Sequence, residues 1–233
     1  MTEKKSGASL LTALACALFP QRCAFCGRLI RAGRRVCPEC EKSLPYIGNG
    51  TCRVCGRESR YCRCEKEKYA FERCVAPFYY EGVAKKGIMR FKFGGRREVA
   101  AVFAKYAAQR ARSEYEGTSF SFVTAVPLSK AEKRRRGYDQ AEDFGRALAR
   151  ELGLQYRCAL CKPRDIKPQR TSTAPERHKI VIGAFYAHDV PKSAAVLLAD
   201  DVVTTGATLS ECALALKKAG AGTVCCVAAA RVK

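Results

Sequence analysis

The stretch that most limits what this chain can fold into lies near its end, residues 194–211, A-A-V-L-L-A-D-D-V-V-T-T-G-A-T-L-S-E. An apolar run through Val196, Leu197, Leu198 and Ala199 meets two acids, Asp200 and Asp201. Such a run reads as a strand buried on both faces of a parallel sheet, and the Thr/Gly-rich residues after it as a turn into a helix. Leu209, Cys212, Ala213 and Leu216 recur at helical spacing, and Ala219-Gly220 closes the helix. Open α/β sheets bind ligands at such carboxyl ends of strands. Backbone N–H groups at the helix start suit a phosphate, and Thr205 and Thr208 add hydroxyl donors. Asp200 and Asp201 would repel a phosphate but accept hydrogen bonds from ribose hydroxyls. The stretch therefore fits a sugar phosphate held at both ends. A bare strand-to-helix turn with charges facing water is the competing reading.

At 233 residues the chain has room for one full α/β domain and a small module. Its 43 basic and 22 acidic side chains leave a formal charge of +21, which points to an anionic partner such as nucleic acid or polyphosphate. Nine of the 15 cysteines lie between Cys23 and Cys74, most in C-x2-C pairs. In a cytosolic protein that spacing means zinc rather than disulfides. Cys23, Cys26, Cys37 and Cys40 make two knuckles, enough for one tetrahedral site. Cys52, Cys55, Cys62 and Cys64 make a second set. Sequential pairing gives two structural Zn²⁺ ribbons, and an interleaved cross-brace is the other arrangement. Eight thiolates on two Zn²⁺ leave the chain strongly basic.

Lys4 and Lys5 precede an apolar run, residues 10–19, with the outline of a signal peptide. However, Leu10, Leu11, Leu14, Ala15 and Leu18 share one helical face. Residues 1–20 therefore read as an amphipathic helical lead, too short to span a membrane. The expected location is the cytoplasm.

Residues 69–80 are β-prone with Pro77 interrupting, and open the main domain. Two helices follow, from Gly82 and around Val99. Lys85, Lys86, Arg90 and Lys92 fall on the polar face of the first. Between Lys85 and Arg112 there are nine basic residues and one acid, Glu98, which fits a solvated face or an anion-binding surface. Residues 122–128, F-V-T-A-V-P-L, read as a central buried strand. The next residues, S-K-A-E-K-R-R-R-G-Y-D-Q, read as a basic loop, either mobile in solvent or binding phosphate oxygens through the forks of Arg134, Arg135 and Arg136. Asp139 is a plausible N-cap for the helix marked by Ala141, Phe144, Leu148 and Leu152. Residues 161–183 read as a long surface loop. Cys158 and Cys161 have no matching pair, and Cys212, Cys225 and Cys226 read as core. His178 and His188 belong to no triad or metal pattern.

Several motifs, in order, carry a family resemblance: F-P-Q-R-C-A-F-C-G, C-P-E-C, F-K-F-G-G, V-P-L…R-R-R-G-Y-D-Q-A, P-x-Q…E-R and D-D-V-V-T-T-G-A-T. The last resembles the phosphoribosyl pyrophosphate (PRPP) motif of type I phosphoribosyltransferases, and the whole chain resembles the ComF family. Asp139 and Ile180 stand where that family usually has Asn. The resemblance implies an α/β type I phosphoribosyltransferase fold with a parallel central sheet. A small Cys-rich module precedes it: a lead over 1–20, a double zinc ribbon over 21–66 and the phosphoribosyltransferase-like domain over 67–233.

It also implies a PRPP pocket built from Asp200, Asp201, Thr204, Thr205, Gly206, Ala207 and Thr208. The two acids are its catalytic candidates, Arg134, Arg135 and Arg136 would hold the pyrophosphate, and Mg²⁺ accompanies PRPP. Implied partners are single-stranded DNA and a DNA-uptake helicase or other competence protein. An assembly factor whose zinc ribbons dock such a partner, through the face of residues 41–66, is one reading, and two other roles stay open at this point. One is binding during single-stranded DNA uptake, with Tyr79, Tyr80, Phe91 and Phe93 as candidates to stack on bases. The other is phosphoribosyl transfer in nucleotide metabolism to an unknown acceptor. Purine salvage is disfavoured, because Thr204 stands where those enzymes usually carry Asp.

Overall fold

A computed structural model describes residues 21–65, 68–162 and 185–233. The expected lead over 1–20 and nearly all of the expected loop over 161–183 lie outside the described residues. The core is a parallel sheet built on two nine-residue strands, β6 (Ala195–Val203) and β7 (Thr223–Arg231). β7 is buried from Val224 through Arg231, as an apolar run inside a doubly covered sheet must be. It pairs with β6 on one side and with β1 (Arg73–Val75) on the other. β2 (Phe78–Tyr79) continues alongside β7. Pro77 divides β1 from β2 because it has no N–H for the ladder. β3 (Phe122–Ala125) pairs with β6, Ala125 opposite Ala199. A short antiparallel pair, β4 (Leu160–Cys161) and β5 (Tyr186–Ala187), lies apart.

One face of the sheet is covered by α2 (Gly82–Phe93), α3 (Val99–Glu114) and α5 (Gln140–Leu152). Ile88, Phe91, Phe103, Phe144 and Leu148 meet there with no exposed surface. The first cysteine set joins this layer. It includes a short helix, α1 (Pro38–Lys42), and its Phe25 packs edge-on against Phe103 at 5.2 Å. Truncating a buried Phe of this kind costs about 3–5 kcal/mol. On the other face lie α6 (Ala207–Lys218), Phe71 and Ile47, with Val54 and Tyr61 of the second set packed against them. The ribbons therefore share the main domain's cores.

Two elements differ from the sequence expectation. β3 is fully buried, yet among the described residues its far side carries only a bridge from Val123 to Tyr156, so it is an outer strand. The basic stretch after it is a helix, α4 (Lys130–Arg136). Ser129 and Glu132 form a reciprocal capping box, and left-handed Gly137 ends the helix. The S-x-x-E signal outweighs charge repulsion along the basic run. As expected, the turn begins only after the acids: β6 runs through Asp200 and Asp201 to Val203.

Candidate functional site

The parallel register carries β3 and β6 to the same edge of the sheet. The amide of Val126 donates to the carbonyl of Ala199 at 2.9 Å, so the two strand ends leave side by side. β3 leads into α4, and β6 leads through residues 204–206 into α6. Asp200 and Asp201 alternate across the strand. Asp201 is buried toward α2, where its Oδ2 meets Lys92 Nζ at 2.7 Å. Asp200 folds its Oδ1 back to accept from the Asp201 amide at 2.8 Å. Burial first, and the negative charge of Asp201 second, push the Asp200 carboxyl well above the usual carboxylate range. Lys92 acts against that rise. Sequence spacing leaves Lys92 on a solvated face or an anion-binding surface; in the structure it pairs with Asp201. The only prior signal was its place in F-K-F-G-G at the end of the helix.

Thr204 and Thr205 are exposed, Gly206 and Ala207 buried, and Thr208 half-buried in the first turn of α6. Gly206 caps α6 with φ of +86°, a conformation that favours glycine. The amide of Ala207 donates to Thr205 Oγ1 at 3.3 Å. From the opposite side, Arg57 Nη2 donates to the Thr204 carbonyl at 2.8 Å, and Tyr69 Oη donates to the Thr205 carbonyl at 3.0 Å. Neither residue stood out in the sequence.

At the β3 side, Arg134 and Arg135 are exposed in the last turn of α4. Arg136 turns back and donates to Gln140 Oε1 at 2.7 Å. Asp139 caps α5 through the Glu142 amide and also accepts from the Leu128 amide, each at 3.1 Å. Burial pushes its carboxyl up, against the pull of those two donors. Of the four aromatic candidates for stacking, Tyr79 and Phe91 are buried and Tyr80 is half-buried, leaving Phe93 exposed at the end of α2.

The eight expected cysteines form two sequential clusters, Cys23/Cys26/Cys37/Cys40 and Cys52/Cys55/Cys62/Cys64, with all sulfurs of a cluster within 4.8 Å of one another. A tetrahedron with metal–sulfur distances of about 2.3 Å places its sulfurs about 3.8 Å apart. Cys26–Cys37 at 3.7 Å and Cys52–Cys64 and Cys55–Cys62 at 3.6 Å match that spacing. Backbone amides also point at sulfur, as from Cys37 to Cys23 Sγ at 3.4 Å. The thiols are not equivalent. Burial opposes ionisation of Cys23 and Cys52, but backbone donors bring them down to about 7 and about 6. Burial and neighbouring sulfurs push Cys40 and Cys64 up. Four thiolates so close need a cation, and Zn²⁺ fits the donor set. Cys158 and Cys161 are exposed and join no cluster among the described residues.

Two four-cysteine zinc ribbons docked on a parallel α/β sheet define the class of this protein. A double zinc ribbon domain family matches residues 14–76. Competence protein F of Haemophilus influenzae is 31% identical over 219 residues, covering 87% of this chain and 93% of that one. DNA utilization protein YhgH of Salmonella typhi is 28% identical over 207 residues, covering 87% and 86%. Competence protein ComFC of Streptococcus pneumoniae is 27% identical over 191 residues, covering 80% and 83%. The chain belongs to the ComF family. Among solved structures it is similar to the allosteric regulatory enzyme of purine biosynthesis, at 19% identity and a TM-score of 0.42. That match covers 60% of this chain and 30% of the enzyme's.

Proposed function

We propose that this chain binds PRPP with Mg²⁺ at the paired ends of β6 and β3, and that the pocket serves the handling of single-stranded DNA during uptake. The observation that carries the reading is the run of Asp200 and Asp201 into a glycine-capped helix start beside the basic end of α4. Residues 204–208 take the 5′-phosphate through backbone N–H and threonine hydroxyls. Asp200 and Asp201 take the ribose hydroxyls. Arg134 and Arg135, with Mg²⁺, take the pyrophosphate. If pyrophosphate leaves, the ribose carbon becomes cationic and the two acids stabilise it electrostatically. The names of the relatives, competence and DNA utilization proteins, support a DNA role. So do the formal charge of +21 and exposed Phe93. In this reading the protein works in the cytoplasm, and the ribbons dock a helicase or another uptake protein through the face within residues 41–66. No helix among the described residues is long and apolar enough to cross a membrane.

Titration calorimetry with PRPP and Mg²⁺ tests the pocket. Wild-type protein should bind and Asp200→Ala should lose at least tenfold in affinity, about 1.4 kcal/mol. Equal binding by the variant would refute the assignment.

A further inference from the structure

The second ribbon grips the loop that carries the proposed phosphate site. Its knuckle is fixed to the sheet at three points. The Cys74 amide donates to the Val54 carbonyl at 2.8 Å. Buried Arg231 donates through Nη1 to the Cys55 carbonyl. Gly56, at φ +69°, lies so close to β1 that a Cβ there would stand 2.1 Å from the Cys74 carbonyl oxygen. Within the knuckle the Cys52 amide donates to the Arg57 carbonyl at 2.7 Å, which fixes where the Arg57 side chain starts. Arg57 then reaches Thr204, 147 residues further along the chain. Tyr69, stacked on Phe71 at 4.8 Å, holds Thr205 and stands 3.1 Å from where a Gly206 side chain would begin. Just beyond, the Ala70 amide donates to Ser210 Oγ at 2.9 Å, tying the first turns of α6 to the same segment.

The direction of these bonds matters. In a trans peptide the carbonyl and the next residue's N–H point opposite ways, and no peptide here is cis. Drawing the Thr204 and Thr205 carbonyls toward Arg57 and Tyr69 therefore aims the Thr205 and Gly206 N–H groups away from the ribbon. It also removes two carbonyl oxygens that would repel an anion. Successive N–H groups turned to one side make an anion-binding concavity.

We infer that Arg57 and Tyr69 are positioning residues that set the peptide orientation of the phosphate loop, so that the second zinc ribbon completes the site without touching the ligand. The inference rests on residues 204–208 taking the 5′-phosphate. The test uses full-length, zinc-loaded protein and the variants Arg57→Ala, Arg57→Lys and Tyr69→Phe, the last removing a single hydroxyl. Two measurements are made on each. Calorimetry with ribose 5-phosphate should show about tenfold weaker binding for Arg57→Ala, partial recovery for Arg57→Lys and about threefold weakening for Tyr69→Phe. Magnesium pyrophosphate, which lacks the 5′-phosphate, should bind all four proteins equally.

Hydrogen exchange of the peptide spanning residues 203–209 should speed up about tenfold in Arg57→Ala and Tyr69→Phe, with β3 and α3 unchanged. Unchanged loop exchange, or ribose 5-phosphate affinity within twofold of wild type in both variants, would overturn the inference. If wild-type protein binds no ribose phosphate, the pocket assignment falls and this inference falls with it. Faster loop exchange in that case would leave only the structural contact. Binding by wild type with no variant effect would sink this inference alone.

Discussion

Lys92 and Asp201 make an ion pair at 2.7 Å, with side chains 20% and 12% exposed. Fully exposed pairs contribute about 0–1 kcal/mol, whereas removing one partner of a buried pair costs about 3–5 kcal/mol. At these exposures a coupling of about 2 kcal/mol is expected, and a double-mutant cycle isolates it. The two single changes should be unequal. Lys92→Met leaves a carboxylate fixed on β6 beside Asp200, with no flexible stem to carry it to water, at a cost of about 3 kcal/mol. Asp201→Asn leaves an ammonium on a four-carbon stem that can swing outward, at about 1 kcal/mol. The double variant should then lose about 2 kcal/mol, less than Lys92→Met alone. For a chain of this size the Lys92→Met loss lowers Tm by about 6–12 °C. Urea denaturation in zinc-containing buffer measures all three, first at low salt and then at about 0.5 M, where a largely buried pair is screened less than a surface one. Additive single effects, or coupling that disappears in salt, would refute the reasoning.

Asp200 gives a test with the opposite sign. Its carboxyl is raised, so the folded chain holds that proton over a pH range where the unfolded chain has lost it. Stability from this group therefore falls as pH rises from the ordinary carboxylate value of about 3.9 toward the raised one. Asp200→Asn should be more stable than wild type at pH 7 by thermal melting, with the gap closing on acidification; a variant that melts lower at pH 7 contradicts the burial account. Gly56→Ala should abolish docking of the second ribbon, because its Cβ would overlap the Cys74 carbonyl. Limited proteolysis should then cut near residue 57 in the variant and not in wild type. Replacing both Arg134 and Arg135 by Ala should flatten the salt dependence of single-stranded DNA binding in a filter assay by about 1.4 in the log–log slope, at about 0.7 per lost phosphate contact. An unchanged slope would remove α4 from the nucleic-acid surface.

The parts of this fold legible in the sequence were those set by short-range pattern. The run from Val196 to Ala199 reads as a buried strand, and the C-x2-C and C-x-C spacings pick out the eight clustered cysteines, while their sequential grouping came from the structure. Asp139 could be read as an N-cap, which it is. The strand breaks where Pro77 removes a donor. What escaped depended on long-range placement. Lys92 fits a solvated face or an anion-binding surface in the sequence, and its pairing with Asp201 does not show, since nothing local ties α2 to β6. Arg57 and Tyr69 act on carbonyls more than a hundred residues away, and a backbone acceptor leaves no mark in the sequence. The α4 helix was a different kind of miss. Its signal is local, since Ser129 and Glu132 have capping-box spacing, but the run of basic residues and Gly137 reads equally as a loop.

Arg231 on β7 reaches back 176 residues to the knuckle at Cys55, and β1 finds its ladder partner in the same late strand. The knuckle at Cys55 leaves the ribosome well before the strand it docks against. Docking of the second ribbon must await synthesis of β7, with the chain-closure delay that such distant pairing imposes. During that interval metal capture is what keeps four nearby thiols from oxidising or cross-linking. Folding in zinc-poor conditions should therefore fail at the N-terminal end first, and through covalent damage rather than through loss of the sheet.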